Sequence, residues 1–320
     1  MKIGVVILNY NGWQDTIACV ESVLASRTSP AWIIIVDNGS TNDSARWLRH
    51  WAIGNMEFAL SELGVFSPCV KPVALHDVDE TESFDIPLGS VVLLRLKQNN
   101  GYASGNNAGI RLLKQAGADA VWILNNDTVV DQNALGAMSN RLFSKPRPGL
   151  CGALVSYLES DAIVQCRGGG FTNKWTGLSV LDGNKENLTT ALLADPDAVE
   201  KRINFIYGAS VMVSRAFIEN VGLMDERYFL YCEEQDWAYS AAGKFDLAYA
   251  PDALVYHKEG ASTGFSYKKL NVRLLWHLTR SRLLLTWKHT PEALPTVCLS
   301  IAYAALRMAW RRIVGARSVA

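Results

Sequence analysis

Residues 120–131 read AVWILNNDTVVD, and the fold turns on how they are taken. Val121–Leu124 is a short apolar run rich in strand formers, the pattern of a buried strand. It stops abruptly at Asn125–Asn126–Asp127, with Thr128 next. Amides and a carboxylate at the end of a buried strand are costly to desolvate unless something satisfies them. In an open α/β sheet the carboxyl ends of the strands are where ligands bind. A carboxylate flanked by amides also suits a divalent cation carrying phosphate oxygens. The plainer reading of the same residues is a polar turn that caps a helix starting near Asn133.

Two more strands with polar ends precede this one. Lys2–Leu8 is continuously apolar, as strands buried on both faces are, and runs into Asn9–Tyr10–Asn11–Gly12. Asp15 or Thr16 then caps a helix through Ile17, Val20, Val23 and Leu24. Trp32–Val36 is a second strand, ending in DNGSTNDS at 37–44 and followed by a helix through Leu48 and Trp51. This β-α-β-α opening predicts a parallel, doubly wound sheet. The GxGxxG fingerprint of a dehydrogenase-type fold is absent: the first loop reads NYNGW. Residues 52–90 read as an insertion, with a helical piece at Glu57–Leu63 and an acidic surface run of Asp77, Asp79, Glu80, Glu82 and Asp85. Val91–Leu96 returns to strand. Residues 99–109, NNGYASGNNAG, read as a loop that hugs a ligand, since glycine lets backbone approach closely and Asn gives directed hydrogen bonds. A turn with a helix cap is the bland alternative, and a helix follows through Ile110, Leu112 and Leu113.

In the second half, Phe205–Ser214 is a strand broken at Gly208–Ala209. The carboxylates Glu233, Glu234 and Asp236 then follow an aromatic run, Tyr228, Phe229 and Tyr231. They read either as the charged first turn of a helix or as a general base whose pKa an apolar pocket raises. Leu247–Tyr256 is β-prone and ends in His257, followed by a glycine-rich segment.

The 320 residues are 49% hydrophobic and formally neutral, but the charge is uneven. From Tyr267 onward there are ten Lys/Arg and one acid, a net +9, which residues 1–266 balance at −9. A basic tail on an acidic body points to an anionic partner for the tail. Its helices carry Trp276, Trp287 and Trp310 beside basic residues, which suits anionic lipid; a helix pair packed on the main domain, at a homodimer contact, is the alternative. Six cysteines without CxxC spacing read as reduced thiols, and no signal-peptide pattern or membrane-spanning run of roughly 18–20 apolar residues is present. The expected location is cytoplasmic, peripheral on the inner face of the plasma membrane.

Taken in order, NYNG, VDNGSTNDS, NNGYASGNNAGI, WILNNDTVV, YGASVMVSR, DERYFLYCEEQDW and YAPDALVYHKEGAS resemble the family 2 glycosyltransferases of the GT-A type, nearest to a rhamnosyltransferase-like branch. Each block is weak alone; seven in order across residues 1–266 are specific. The resemblance implies a GT-A domain over 1–266, with the 52–90 insertion, and a helical segment over 267–320. It implies an inverting, metal-dependent transfer of a sugar, rhamnose from dTDP first and a UDP-sugar next, to a glycan or lipid-linked acceptor in cell-surface polysaccharide synthesis. Mg²⁺ or Mn²⁺ is the implied cofactor, and no nucleic acid is expected as partner. By position, Asn9, Tyr10, Asp37, Asn100, Gly101 and Asn107 would line the nucleotide pocket. Asn125 and Asn126 would sit beside the donor, Asp127 and His257 would bind the metal, and Glu234, with Glu233 and Asp236, would supply the catalytic base. Two residues depart from the family pattern: Glu234 where Asp is usual, and Ser240 where Arg is often found. A non-catalytic nucleotide-sugar or glycan-binding protein stays open, as does a sugar nucleotidyltransferase, although NYNGW lacks that class's glycine-rich loop.

Overall fold

The computed structural model describes residues 1–56, 69–81, 85–258 and 272–317. The helix expected at Glu57–Leu63, Glu82 of the acidic run and the segment after Lys258 lie outside the described residues.

In chain order the elements are β1 (Ile3–Asn9), α1 (Trp13–Leu24), β2 (Trp32–Asp37), α2 (Ser44–Ala52), β3 (Leu75–Asp79), β4 (Val91–Arg95), α3 (Tyr102–Gln115), β5 (Ala120–Asn125), β6 (Thr128–Val130) and α4 (Ala134–Phe143). The second half continues with β7 (Pro148–Tyr157), β8 (Ser160–Arg167), β9 (Gly169–Asn173), β10 (Leu178–Leu181), α5 (Leu188–Ala191), α6 (Pro196–Glu200), β11 (Phe205–Ile206), β12 (Ser210–Ser214), α7 (Arg215–Asn220), α8 (Glu233–Ser240) and β13 (Asp246–His257). Two long helices, α9 (Val272–His289) and α10 (Leu294–Arg317), follow. The main sheet runs β3-β4-β2-β1-β5-β12-β7-β13-β6, with β8 paired to β7. Its first five strands are parallel, β12 enters antiparallel between β5 and β7, and β7–β13 is parallel again.

Strand alternation divides the core. Ile3, Val5 and Ile7 of β1 pack with Ile17 and Val20 of α1, Trp51 of α2 and Leu135 and Met138 of α4. Val6, on the opposite face, packs with Ile110 and Leu113 of α3, Phe217 of α7 and Trp237 of α8. Helices thus cover both faces of a mostly parallel sheet, the doubly wound GT-A architecture.

Three local expectations change. The first helix starts at Trp13 after Gly12, so Asp15 and Thr16 lie inside its first turn; the Thr16 hydroxyl donates to Asn9 Oδ1 at 2.9 Å. Residues 102–109 are helix rather than loop. Their glycines serve packing: a Cβ at Gly109 would lie 2.8 Å from Val6 Cγ1, so α3 rides closer to β1 than any larger residue allows. The 52–90 region is in part structural, because β3 extends the sheet beside β4, and Asp77 of the acidic run pairs with Arg49 and Arg95.

Register brings the site together. Asn9 pairs with Asp37, Leu8 with Asn125, and Ser210 with Leu124. The C-terminal ends of β1, β2 and β5 and the start of β12 therefore share one edge. His257 reaches the same region by pairing with Thr128.

Candidate active site

The nucleotide-side residues form a buried polar lattice. Asn9, fully buried, donates through Nδ2 to Asp37 Oδ1 at 3.0 Å and to Ser40 Oγ at 3.1 Å. Its Oδ1 accepts from Gly12 N at 3.2 Å and from Thr16 Oγ1 at 2.9 Å. With both amide atoms used, Asn9 orients Asp37 and the NYNG turn and has no polar group left for a ligand. The Ser40 hydroxyl also donates to Asp37. Tyr10 is exposed at this edge, and so is Asn100, whose Oδ1 accepts from Gln98 Nε2 at 3.0 Å. Gly101 has φ of 95°, and a Cβ there would lie 2.7 Å from Phe229 Cα, so glycine is required both for the turn and for the approach of the 225–232 loop. Asn107 is placed elsewhere: its Nδ2 donates to Met224 O at 2.8 Å and to Glu226 Oε1 at 3.0 Å, and its Oδ1 accepts from Met224 N at 3.1 Å. It anchors that same loop from beneath.

In the Asn125–Asp127 turn the three side chains differ. Asn126 points inward, donating to Gly12 O at 3.2 Å and Thr16 Oγ1 at 3.1 Å, and so ties β5 to the NYNG turn. Asn125 is partly exposed. Asp127 is buried, and its Oδ1 lies 3.1 Å from His257 Nε2, while His257 Nδ1 lies 2.8 Å from Gln165 Oε1. The Gln165 carbonyl oxygen only accepts, so Nδ1 carries the proton. In a neutral imidazole, Nε2 then turns its lone pair toward the Asp127 carboxylate. Two acceptors at that separation repel unless a cation or proton lies between them.

The carboxylates after the aromatic run begin α8, as one of their two readings held. Tyr231 and Cys232, just before the helix, both sit at φ 70°, an uncommon conformation for residues other than glycine. Glu233 is buried with Oε2 unpartnered, and desolvation and then the neighbouring Glu234 push its carboxyl well above the ordinary range. Glu234 is partly buried; desolvation pushes it up to about 7, against a backbone hydrogen bond that lowers it. A Cβ at Gly208 would stand 2.8 Å from Glu234 Cδ, so the carboxylate lies directly on the glycine that breaks β11 from β12. The Tyr102 hydroxyl, at the start of α3, donates to Gly208 O at 2.8 Å. Next along, Asn125 N donates to Ala209 O at 3.1 Å. Two residues, Gly208 and Ala209, therefore connect Glu234 to the Asn125–Asp127 turn.

Asp236 does not join that group. Two residues along a helix point to different sides. Asp236 accepts from Tyr228 Oη at 3.2 Å, Lys288 Nζ at 2.8 Å and His289 Nε2 at 2.7 Å, joining α8 to α9. Serine 281 adds a bond to Leu230 O at 3.0 Å, and Arg280 one to Arg227 O at 2.6 Å. Thus α9 holds the strained turn from outside. Gln165, Tyr102 and the α9 contacts were not anticipated as parts of the site. Gly208–Ala209 left a trace in the sequence, as small residues at a strand break where a ligand could sit close.

The family model described as Glycosyl transferase family 2 matches residues 4–60, which carry the NYNG and DNGS turns. The chain is 22% identical over 247 residues to a low-salt glycan biosynthesis hexosyltransferase, Agl10, of Haloferax volcanii, covering 75% of the chain and 61% of that relative. The chain therefore spans less than two thirds of the relative's length. Its fold is similar to GalNAc-T7 with UDP, GalNAc and Mn²⁺, at TM-score 0.55 and 16% identity over 88% of this chain and 47% of the other. It is also similar to the mannosyltransferase PcManGT from Pyrobaculum calidifontis in complex with GDP-Man and Mn²⁺, at TM-score 0.53 and 14% identity over 99% and 79% of the two chains.

Proposed function

We propose that this chain is a family 2 glycosyltransferase that moves a sugar from a nucleotide-diphosphate donor to a hydroxyl of a glycan or lipid-linked acceptor, with inversion. The observation that carries this reading is Glu234, a carboxyl raised to about 7 and seated on Gly208 beside the Asn125–Asp127 turn. As the acceptor oxygen bonds to the anomeric carbon, Glu234 takes its proton, and the bond to the donor phosphate breaks with its electron pair leaving on the diphosphate. Burial, and then the neighbouring Glu234, push the Glu233 carboxyl up as well, so the pair resists carrying two negative charges. Asp236 and Asn107 act as struts for the loop rather than as parts of this chemistry.

The Asp127–His257 pair fits a divalent cation. One carboxylate oxygen and one imidazole nitrogen, with the imidazole oriented by Gln165, is a donor set that Mn²⁺ or Mg²⁺ accepts. Asp127 and His257 would hold the ion, and its chemistry is to neutralise charge on the leaving diphosphate. Among the described residues no group of three His, Cys, Asp or Glu forms a closed metal site, which favours an ion that shares its coordination with the donor. The UDP, GalNAc and Mn²⁺ of one similar structure and the GDP-Man and Mn²⁺ of the other support this reading. Rhamnose as the sugar rests on the sequence resemblance alone; a hexose is equally compatible with the hexosyltransferase relative.

The test is calorimetric titration of dTDP, UDP and GDP with Mn²⁺, repeated with EDTA and with Asp127→Ala, followed by a transfer assay of Glu234→Gln. Metal-dependent binding of one nucleotide that Asp127→Ala abolishes, with transfer lost in Glu234→Gln, supports the proposal. Binding without transfer across a broad acceptor panel favours the non-catalytic binding protein. Unchanged transfer in Glu234→Gln removes it as base.

A further inference from the structure

We propose that the outer face of α10 docks on the surface of an anionic lipid bilayer. Helix α10 packs inward through Val297, which is fully buried, and Ser300, which accepts from Arg282 Nη2 at 3.2 Å. Its other side is bare. Leu299, Tyr303, Leu306 and Trp310 are 69%, 67%, 71% and 67% exposed. Steps of four, three and four residues keep these four side chains within an arc of about 60° on an α-helix. Four large apolar groups in one narrow stripe are a surface waiting for a partner, unlike scattered exposed residues. Helix α9 has a second such line in Val272, Trp276 and Trp287, at 77%, 59% and 60% exposure.

Charge identifies the partner. Helix α10 contains Arg307, Arg311, Arg312 and Arg317 and no acidic residue. A second copy packed about a two-fold axis would set this basic helix against itself. Anionic headgroups complement it, and tryptophan and tyrosine side chains suit the boundary between headgroups and acyl chains. Among the described residues no helix is long and apolar enough to cross a membrane. The helix therefore lies in the plane of the interface, with its apolar stripe toward the acyl chains. The inner face of α9 meanwhile holds the catalytic turn, so one helical pair joins the bilayer to the site. The surface is independent of the transfer chemistry, and vesicle binding reads it whether or not sugar moves.

The experiment is co-sedimentation of the full-length protein with phosphatidylcholine vesicles, with and without phosphatidylglycerol, at low salt. Expected is pelleting with the anionic vesicles only. Arg307→Gln/Arg311→Gln/Arg312→Gln should lower the partition coefficient roughly a hundredfold. Leu299→Glu/Leu306→Glu should abolish pelleting while donor-nucleotide binding is kept. Should a variant not fold, the wild-type comparison of the two vesicle types still decides. Equal pelleting on both, no pelleting on either, or full binding by the folded stripe variants overturns the proposal. So does a wild-type dimer in sedimentation velocity that Leu306→Glu splits, with no vesicle binding, because the stripe is then a contact between copies of this chain.

Discussion

At the scale of single residues, the proposed role of Glu234 as base would tie activity to stability. Its pKa in the fold, about 7, exceeds the ordinary 4.5 of a glutamate, so between those values the folded protein holds more protons than the unfolded chain. That contribution to stability is complete below pH 4.5 and is lost as pH rises through 7. The base form appears over the same range, so transfer rate should rise with pH and level off above about 7.5. Glu234→Gln should lower kcat by about 10²–10⁴-fold. It should also flatten the dependence of melting temperature on pH between 5 and 8, by the order of 2 kcal/mol in unfolding free energy. A melting curve that moves with pH as in wild type would contradict this assignment. Gly208→Ala separates geometry from stability. The added methyl meets the far end of the Glu234 side chain, which can swing away at little cost to the fold. Displacing the base by an ångström should cost roughly a hundredfold in kcat with little change in melting temperature. Gln165 is a positioning residue for His257: Gln165→Leu should weaken Mn²⁺ affinity about 10–100-fold in calorimetry, with Asp127 untouched.

Among the elements, α9 is the one whose role is least apparent from its own sequence. It satisfies backbone carbonyls at Arg227 and Leu230 and pairs with Asp225 and Asp236. Arg227, and after it Lys288, hold the Asp225 carboxyl below the usual carboxylate range against the opposing effect of burial. The His277 ring stacks on Phe229 at a centroid distance of 4.6 Å. These contacts maintain Tyr231 and Cys232 in the left-handed region, and those two residues set the direction in which Glu233 and Glu234 leave the loop. Asp236→Ala removes the shared acceptor of Tyr228, Lys288 and His289. Loss of a buried partner of this kind should cost about 2–4 kcal/mol of stability, read by urea unfolding. It should lower kcat more than it changes the KM for donor, because the donor edge is built from β1, β2 and β5. An equal effect on both would mean that α9 supports the whole cleft rather than the turn.

Over the whole molecule, the parallel half of the sheet presents the proposed donor edge, and the antiparallel insertion of β12 places Gly208 against α8. Helix α9 packs on the loop before α8. Truncation after Lys258 should therefore do more than remove a membrane contact. Tyr228 and Cys232, buried with Leu285 of α9, would be uncovered, and the strained turn would relax. The truncated chain should keep the donor edge, and with it metal-dependent nucleotide binding, and lose transfer. Retained transfer at near wild-type rate would show that α9 is dispensable to the site.

Much of this was legible in the sequence for a simple reason: it is periodic or local. Apolar runs of strand length ending in NYNG, DNGS and NNDT define β1, β2 and β5 and place their polar ends on one edge, because parallel strands connected through helices must align their carboxyl ends. The start of α8 at Glu233 and the break at Gly208–Ala209 were likewise written locally. Tertiary packing decided the rest. Asn107 and Asn126 have the composition of ligand contacts, and only the fold turns them inward to anchor a loop and a turn. Asp236 stands two residues from Glu234 in sequence and, through helical geometry, on another side in space. Gln165, 92 residues from His257, meets it only because β8 and β13 both lie beside β7. The residues of 102–109 fold as helix because glycine lets them lie close on β1, a gain visible only once β1 is there to pack against. Local sequence specifies where polar groups leave the strands; which of those groups face a ligand is settled by contacts that span the chain.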